Sequence, residues 1–126
     1  MSLVTPLNRV LGLGTAKGAA EHWWLQRLTA VALIPLGLWF AGSLLALPDF
    51  GYLSVLTWVR RPLTSILLIL LVVSIGYHSF LGVQVVIEDY IAGKAPKVAA
   101  LVASAFAHVG LAVAAVFAVL KIAFGS

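Results

Sequence analysis

The sequence predicts an all-α integral membrane protein with three transmembrane helices, and two observations carry that prediction. Of the 126 residues, 63% are hydrophobic and only 10% are charged, with a mean hydropathy of +1.12. A water-soluble domain of this size has too little interior to hide so much apolar surface, so the bilayer must be its solvent. The charges also sit where a membrane protein puts them. Eight Lys or Arg side chains, with Glu21, Asp49, Glu88 and Asp89, mark the ends of three long apolar segments. The spans are expected at about 28–47, 63–87 and 97–123, within one membrane-anchor domain covering residues 1–126.

Residues 1–20 (M-S-L-V-T-P-L-N-R-V-L-G-L-G-T-A-K-G-A-A) mix glycine, small residues and cations without a sustained period. They read as an N-terminal arm, extended and lying on the inner face or bound to a partner. A secretory signal peptide is not expected, because the first apolar segment starts only after about 27 mixed residues and lacks a small-residue cleavage site. The absence of a long Arg- and Ser-rich leader points to a bacterial inner membrane more than a mitochondrial one.

The first helix enters the membrane through E-H-W-W-L-Q-R-L-T-A-V, residues 21–31. Trp23 and Trp24 suit the headgroup level, where an amphipathic ring satisfies both an apolar body and an N–H donor. From Leu28, ~20 residues at 1.5 Å each give roughly the 30 Å of a bilayer core. Pro35 lies inside this helix and would free the carbonyl of Val31. Leu47-Pro48-Asp49-Phe50-Gly51 is a turn signal, and the stretch that follows it is too short to span. Trp58, Arg60 and Arg61 mark the interface again, and Pro62 is suited to open the second helix.

That second helix closes on Glu88-Asp89-Tyr90, followed by Gly93 and Pro96 as stop signals. The third is rich in alanine, with Ser104 and Gly110, a smooth surface that favours close helix contact. Arg9, Lys17, Arg27, Lys94 and Lys97 fall on one side, and Arg60, Arg61 and Lys121 on the other. This imbalance predicts the N-terminus inside and the C-terminus outside.

The chain contains no cysteine, which excludes disulfides, thiolate-held iron–sulfur clusters and cysteine nucleophiles within it. It also has no basic run interleaved with exposed aromatics, so nucleic-acid binding is not indicated. Chemistry concentrates instead in Ser74–Tyr90, S-I-G-Y-H-S-F-L-G-V-Q-V-V-I-E-D-Y. At 100° per residue, Ser74, His78, Gly82, Val85 and Asp89 fall on one stripe of a helix. An ionisable group at membrane depth points to function. Gly82, one turn from His78, leaves room for a flat macrocycle whose iron an imidazole nitrogen could reach. The alternative for Gly76 and Gly82 is that they simply let helices approach closely. Neither His78 nor Asp89 has an evident partner within a three-helix hairpin, which predicts an obligate hetero-oligomer.

Taken together, H-W-W-L-Q-R-L-T-A-V at the first helix start and H-S-F-L-G-V-Q-V-V-I-E-D-Y closing the second resemble the small D-type membrane-anchor subunit of succinate dehydrogenase, respiratory complex II. The most specific part is His78 with Gly82 four residues on and Asp89-Tyr90 eleven and twelve on. The resemblance implies that His78 is an axial ligand of haem b iron, with the other ligand on a partner cytochrome b anchor subunit. It implies that Tyr90 hydrogen-bonds a ubiquinone carbonyl with Asp89 as its acidic neighbour, that Arg27 lies near the haem propionates, and that Gly82 packs on the haem. Glu88 receives no role. FAD and iron–sulfur clusters would belong to flavoprotein and iron–sulfur partner subunits, and this chain would perform no catalysis alone. It would serve electron transport and the tricarboxylic acid cycle as part of the complex.

Two other readings stay open at the level of sequence. Helices two and three are antiparallel neighbours with His78 and His108 at comparable depth, which permits a self-contained bis-histidine cytochrome b. A purely structural membrane anchor is the third reading. For His108 itself, a hydrogen bond to a hydroxyl or carbonyl on a neighbouring helix is the favoured expectation.

Overall fold

A computed structural model of the chain describes residues 6–125, with side chains from residue 18 onward. Four helices follow in order: α1 (Pro6–Leu45), α2 (Tyr52–Arg60), α3 (Pro62–Tyr90) and α4 (Lys94–Phe124). Three segments are long and apolar enough to cross a membrane: Gly18–Leu45, Pro62–Tyr90 and Lys94–Phe124. The predicted all-α class and the number of spans therefore hold.

Their limits differ from expectation for identifiable reasons. The first helix starts at Pro6 and not near residue 28, so residues 6–20 of the expected extended arm are helical, and residues 1–5 lie outside the described residues. Apolar periodicity reports a buried face, not helicity. Extending a helix that is already nucleated costs far less than starting one, and proline is well suited to a first helical position. α3 continues through Asp89 and Tyr90, and its last turn is closed by the Ile91 N–H donating to the Ile87 carbonyl at 3.0 Å. α4 starts at Lys94, ahead of Pro96, because N–H groups in a first turn have no helical partner and a proline there sacrifices none. Gly93, at φ 87°, makes the reversal that a Cβ would strain.

α3 is the central element and packs along both α1 and α4. Among the described residues α1 and α4 do not pair directly. They meet through a cluster around Trp58, Val59 and Leu68, which gathers Trp39, Phe40 and Leu44 from α1 and Val119 and Ile122 from α4. Trp58 stacks on Trp39 at 6.1 Å and 23°. Arg60 adds a polar clasp by donating to the carbonyls of Ile122 at 3.3 Å and Gly125 at 3.4 Å. The short helix α2 thus ties the end of α1 to the end of α4. In the connecting turn, the Gly51 N–H donates to Asp49 Oδ1 at 2.6 Å, and a Cβ at Gly51 would stand 2.7 Å from that oxygen.

Because Trp58 is only 8% exposed and joins three helices, Trp58→Ala is expected to destabilise the bundle by about 3–5 kcal/mol, the usual cost of emptying a large aromatic site. Thermal unfolding in detergent measures it. A change within about 0.5 kcal/mol would show that the cluster is not a core.

Candidate functional site

The end of the molecule opposite the Trp58 cluster holds an open cleft between α1 and α3, about 620 Å³ in volume. Ala19, His22, Trp23, Gln26, Arg27 and Ala30 line it from α1, and His78, Gly82 and Val85 from α3. The α1 residues recur at three and four, so one face of that helix forms a wall, and His78, Gly82 and Val85 form the facing stripe. His78, Gly82 and Arg27 are therefore brought together by the fold. A Cβ built on Gly82 meets nothing within 4 Å. The glycine keeps this wall low beside the imidazole, and the close-approach alternative does not apply to it. Gly76 has a neighbour across α4, with Ala112 Cβ at 3.7 Å from its would-be Cβ, which is the contact role left open for it.

His78 does have a partner within the chain, contrary to expectation. Its Nδ1 lies 3.0 Å from Thr29 Oγ1 on α1. Thr29 Oγ1 is also 2.8 Å from the Leu25 carbonyl and 3.1 Å from the Gln26 carbonyl. Among the described residues, no hydrogen bond reaches His78 Nε2. Sequence reasoning missed this pair because the two residues are 49 positions apart and only the α1–α3 packing joins them.

Two further groups in the cleft carry unspent hydrogen-bonding capacity. His22 Nε2 and Gln26 Oε1 are buried without a partner among the described residues, and both side chains line the cleft. A buried polar atom left alone costs about 1–3 kcal/mol, which marks these two atoms as unsatisfied polar groups of the cleft wall. Arg27 stands over the Trp23 ring at 5.2 Å, and Trp23 meets Trp24 edge-on with centroids 5.2 Å apart. The cation is thereby held at the cleft wall by an aromatic face. A flat, mainly apolar macrocycle with an acidic edge fits this set: a His78 Nε2 with no partner among the described residues, no side chain at Gly82, and the Arg27 cation at the wall.

His108 lies on the other side of α3. Its Nδ1 is 2.8 Å from the Ser104 carbonyl, which can only accept, so Nδ1 carries the proton. Nε2, 3.1 Å from Ser79 Oγ, then accepts from that hydroxyl. The ring also meets Phe80 edge-on at 5.7 Å. Both nitrogens are committed: the Ser79 hydroxyl is the expected partner on a neighbouring helix, while the Ser104 carbonyl lies on the histidine's own helix. His78 serves the α1–α3 interface and His108 the α3–α4 interface, so the self-contained His78/His108 pairing loses its geometric basis.

Asp89 and Tyr90 stand apart from the cleft lining, in the last turn of α3 and at the same end of the molecule. Tyr90 is 84% exposed, and Asp89 is exposed beside it. Glu88 is engaged by Gln84, whose Nε2 donates to Glu88 Oε2 at 3.3 Å. From His78 to Asp89 the eleven-residue rise is ~16 Å. The chain thus presents a cleft between two helices of membrane-spanning length and, beyond it, an exposed carboxylate and phenol at the helix end.

Comparison with known proteins follows the same line. The family model described as the succinate dehydrogenase/fumarate reductase transmembrane subunit matches residues 1–120. The succinate dehydrogenase hydrophobic membrane anchor subunit of Rickettsia bellii is 41% identical over 78 residues, 62% of each chain. The anchor subunit of Paracoccus denitrificans is 28% identical over 126 residues, all of this chain and 97% of that one. The membrane anchor subunit of Reclinomonas americana is 27% identical over 97 residues, 75% of this chain and 81% of its own. The matches to the Rickettsia relatives span somewhat under two thirds of their length, as in the 62% of the Rickettsia bellii chain. No solved structure matches.

Proposed function

The chain belongs to the succinate dehydrogenase/fumarate reductase transmembrane-subunit family, and from that premise we propose that it is the hydrophobic membrane anchor of a bacterial succinate:quinone oxidoreductase. In this reading His78 and a second cytochrome b anchor subunit would together hold the iron of a haem b at the α1–α3 cleft. Arg27 pairs with the propionates, and Gly82 leaves room for the ring. Asp89 and Tyr90 form this chain's part of the ubiquinone site. The N-terminal side faces the cytoplasm, where the iron–sulfur and flavoprotein subunits dock. The observation that carries the reading is the cleft itself, with a histidine whose Nε2 is free one turn from a glycine.

The division of labour follows from the chemistry. Succinate oxidation to fumarate releases two electrons and two protons; a cysteine-free chain cannot hold thiolate-ligated clusters, and in this reading the flavin and clusters belong to the partner subunits. Ubiquinone takes up two electrons and two protons at its two carbonyl oxygens to become ubiquinol. Haem, when bound, supplies a one-electron centre inside the bilayer. Tyr90 donates a hydrogen bond to a quinone carbonyl, which becomes a stronger acceptor as electrons arrive. Its exposure leaves space for a lipid-soluble ring to enter laterally and for a partner chain to close the site. Asp89, open to the aqueous boundary, orients Tyr90 and relays protons from water.

Purification in mild detergent tests the assignment. The expected result is co-purification with a second membrane chain, an iron–sulfur protein and a flavoprotein, together with low-spin haem. A stable haem-containing monomer, or a complex without succinate-oxidising subunits, would overturn it. Asp89→Asn is expected to slow quinone-dependent turnover by less than about 10-fold, since water can replace one relay group. Its deficit widens toward alkaline pH, where protons are scarcest. A defect equal at all pH values would remove Asp89 from proton delivery.

A further inference from the structure

The Thr29–His78 contact carries an inference that rests on His78 being the haem ligand and goes beyond it. A threonine hydroxyl has one proton to donate and lone pairs with which to accept. Thr29 Oγ1 lies 2.8 Å from the Leu25 carbonyl and 3.1 Å from the Gln26 carbonyl. Both oxygens can only accept, and the hydroxyl proton serves them as a back-bond along α1. Toward His78 Nδ1, 3.0 Å away, the same oxygen is left with acceptor capacity alone. With the hydroxyl proton on the α1 carbonyls, the matching tautomer has the ring proton on Nδ1 and the lone pair on Nε2, the form that ligation through Nε2 requires. His108 gives the contrasting case in the same bundle, with Nδ1 donating to a carbonyl and Nε2 already taken by Ser79.

We infer that Thr29 is a positioning residue for the haem: by accepting from His78 Nδ1–H it fixes the tautomer in which Nε2 faces the cleft, and it sets the orientation and donor strength of the ligand ring. The contact crosses from α1 to α3, so docking of α1 is what prepares the histidine. Partners that hold the distal nitrogen of a ligating histidine also raise its basicity. A hydroxyl does so modestly. The effect is nevertheless directional, because a more basic imidazole favours ferric over ferrous iron.

Thr29→Val tests this in the assembled complex, since it keeps the side-chain shape and removes only the hydroxyl. The expected result is a complex that still assembles, retains haem about 10- to 100-fold less tightly, the usual scale for loss of a ligand's supporting partner, and shows a raised haem midpoint potential with a broadened low-spin signal. Thr29→Ser restores the acceptor and should return potential and signal toward wild type. Should the valine variant fail to assemble, Thr29→Ala and Thr29→Ser carry the same comparison, since they differ by one hydroxyl oxygen. Haem content, potential and low-spin signal all unchanged in Thr29→Val or Thr29→Ala, while His78→Ala loses the low-spin haem, would overturn the role of Thr29 alone. A low-spin haem that survives His78→Ala would overturn the ligand assignment beneath it. Equal defects in the alanine and serine variants would reduce Thr29 to a packing residue and also overturn the inference.

Discussion

His78→Ala is expected to abolish the low-spin haem spectrum of the complex. Of the two histidines on α3 and α4, His78 alone lines the cleft, since His108 spends both nitrogens on Ser79 and Ser104. Loss of a supporting partner alone costs about 10- to 100-fold in affinity, and loss of the ligand itself exceeds that. The haem should therefore be either absent or five-coordinate and high-spin. Where it persists, Arg27 at the cleft wall is the group that the proposed assignment would have retain it, and the complex should still assemble. Optical and electron paramagnetic resonance spectra of the purified variant make the measurement, and an unchanged low-spin signal would remove His78 from the iron. His108→Ala serves as the control and should leave the spectrum intact.

Tyr90→Phe is expected to reduce quinone-dependent turnover by about 10- to 100-fold, corresponding to roughly 1–3 kcal/mol of lost stabilisation of a quinone carbonyl gaining charge. The substitution keeps the ring, which stands 84% exposed where α3 ends and would sit at the membrane boundary with or without its hydroxyl. Succinate oxidation through an artificial acceptor that draws electrons from the soluble subunits should be nearly untouched, because the proposed assignment puts those centres on other chains. The two assays separate the roles. Equal loss in both would make Tyr90 a structural contact of the assembly, and near-wild-type quinone turnover would leave it as an interfacial anchor.

How much of this was legible in the sequence depended on whether the signal was local. Three spans follow from composition and the placement of charges, and the His78–Gly82 spacing follows from helical geometry, so both could be read along the chain. Asp89 and Tyr90 were recognisable as the end of a membrane helix, although their exposure was not. The Thr29–His78 and Ser79–His108 contacts were invisible because each depends on how two helices face one another, and no periodicity within one segment encodes its partner's rotation. The start of α1 was misjudged for another reason: residues 6–20 lack an apolar stripe, yet a continuous helix needs none once its neighbours are helical. The polar groups of His22 and Gln26 showed their interest only when packing buried them without partners.

The arrangement in which α3 carries both α1 and α4, while those two do not pair directly, has a consequence for how the protein comes apart. Ligand that bridges α1 and α3 adds its binding free energy to that interface alone, as any molecule bound only by the intact form does. The α3–α4 hairpin gains nothing comparable. Removing the occupant of the cleft should therefore lower the opening free energy of α1 selectively. Amide exchange or protease cleavage would accelerate between Gly18 and Ala30 while the hairpin keeps its protection, and the chain would loosen in an order set by whatever fills the cleft.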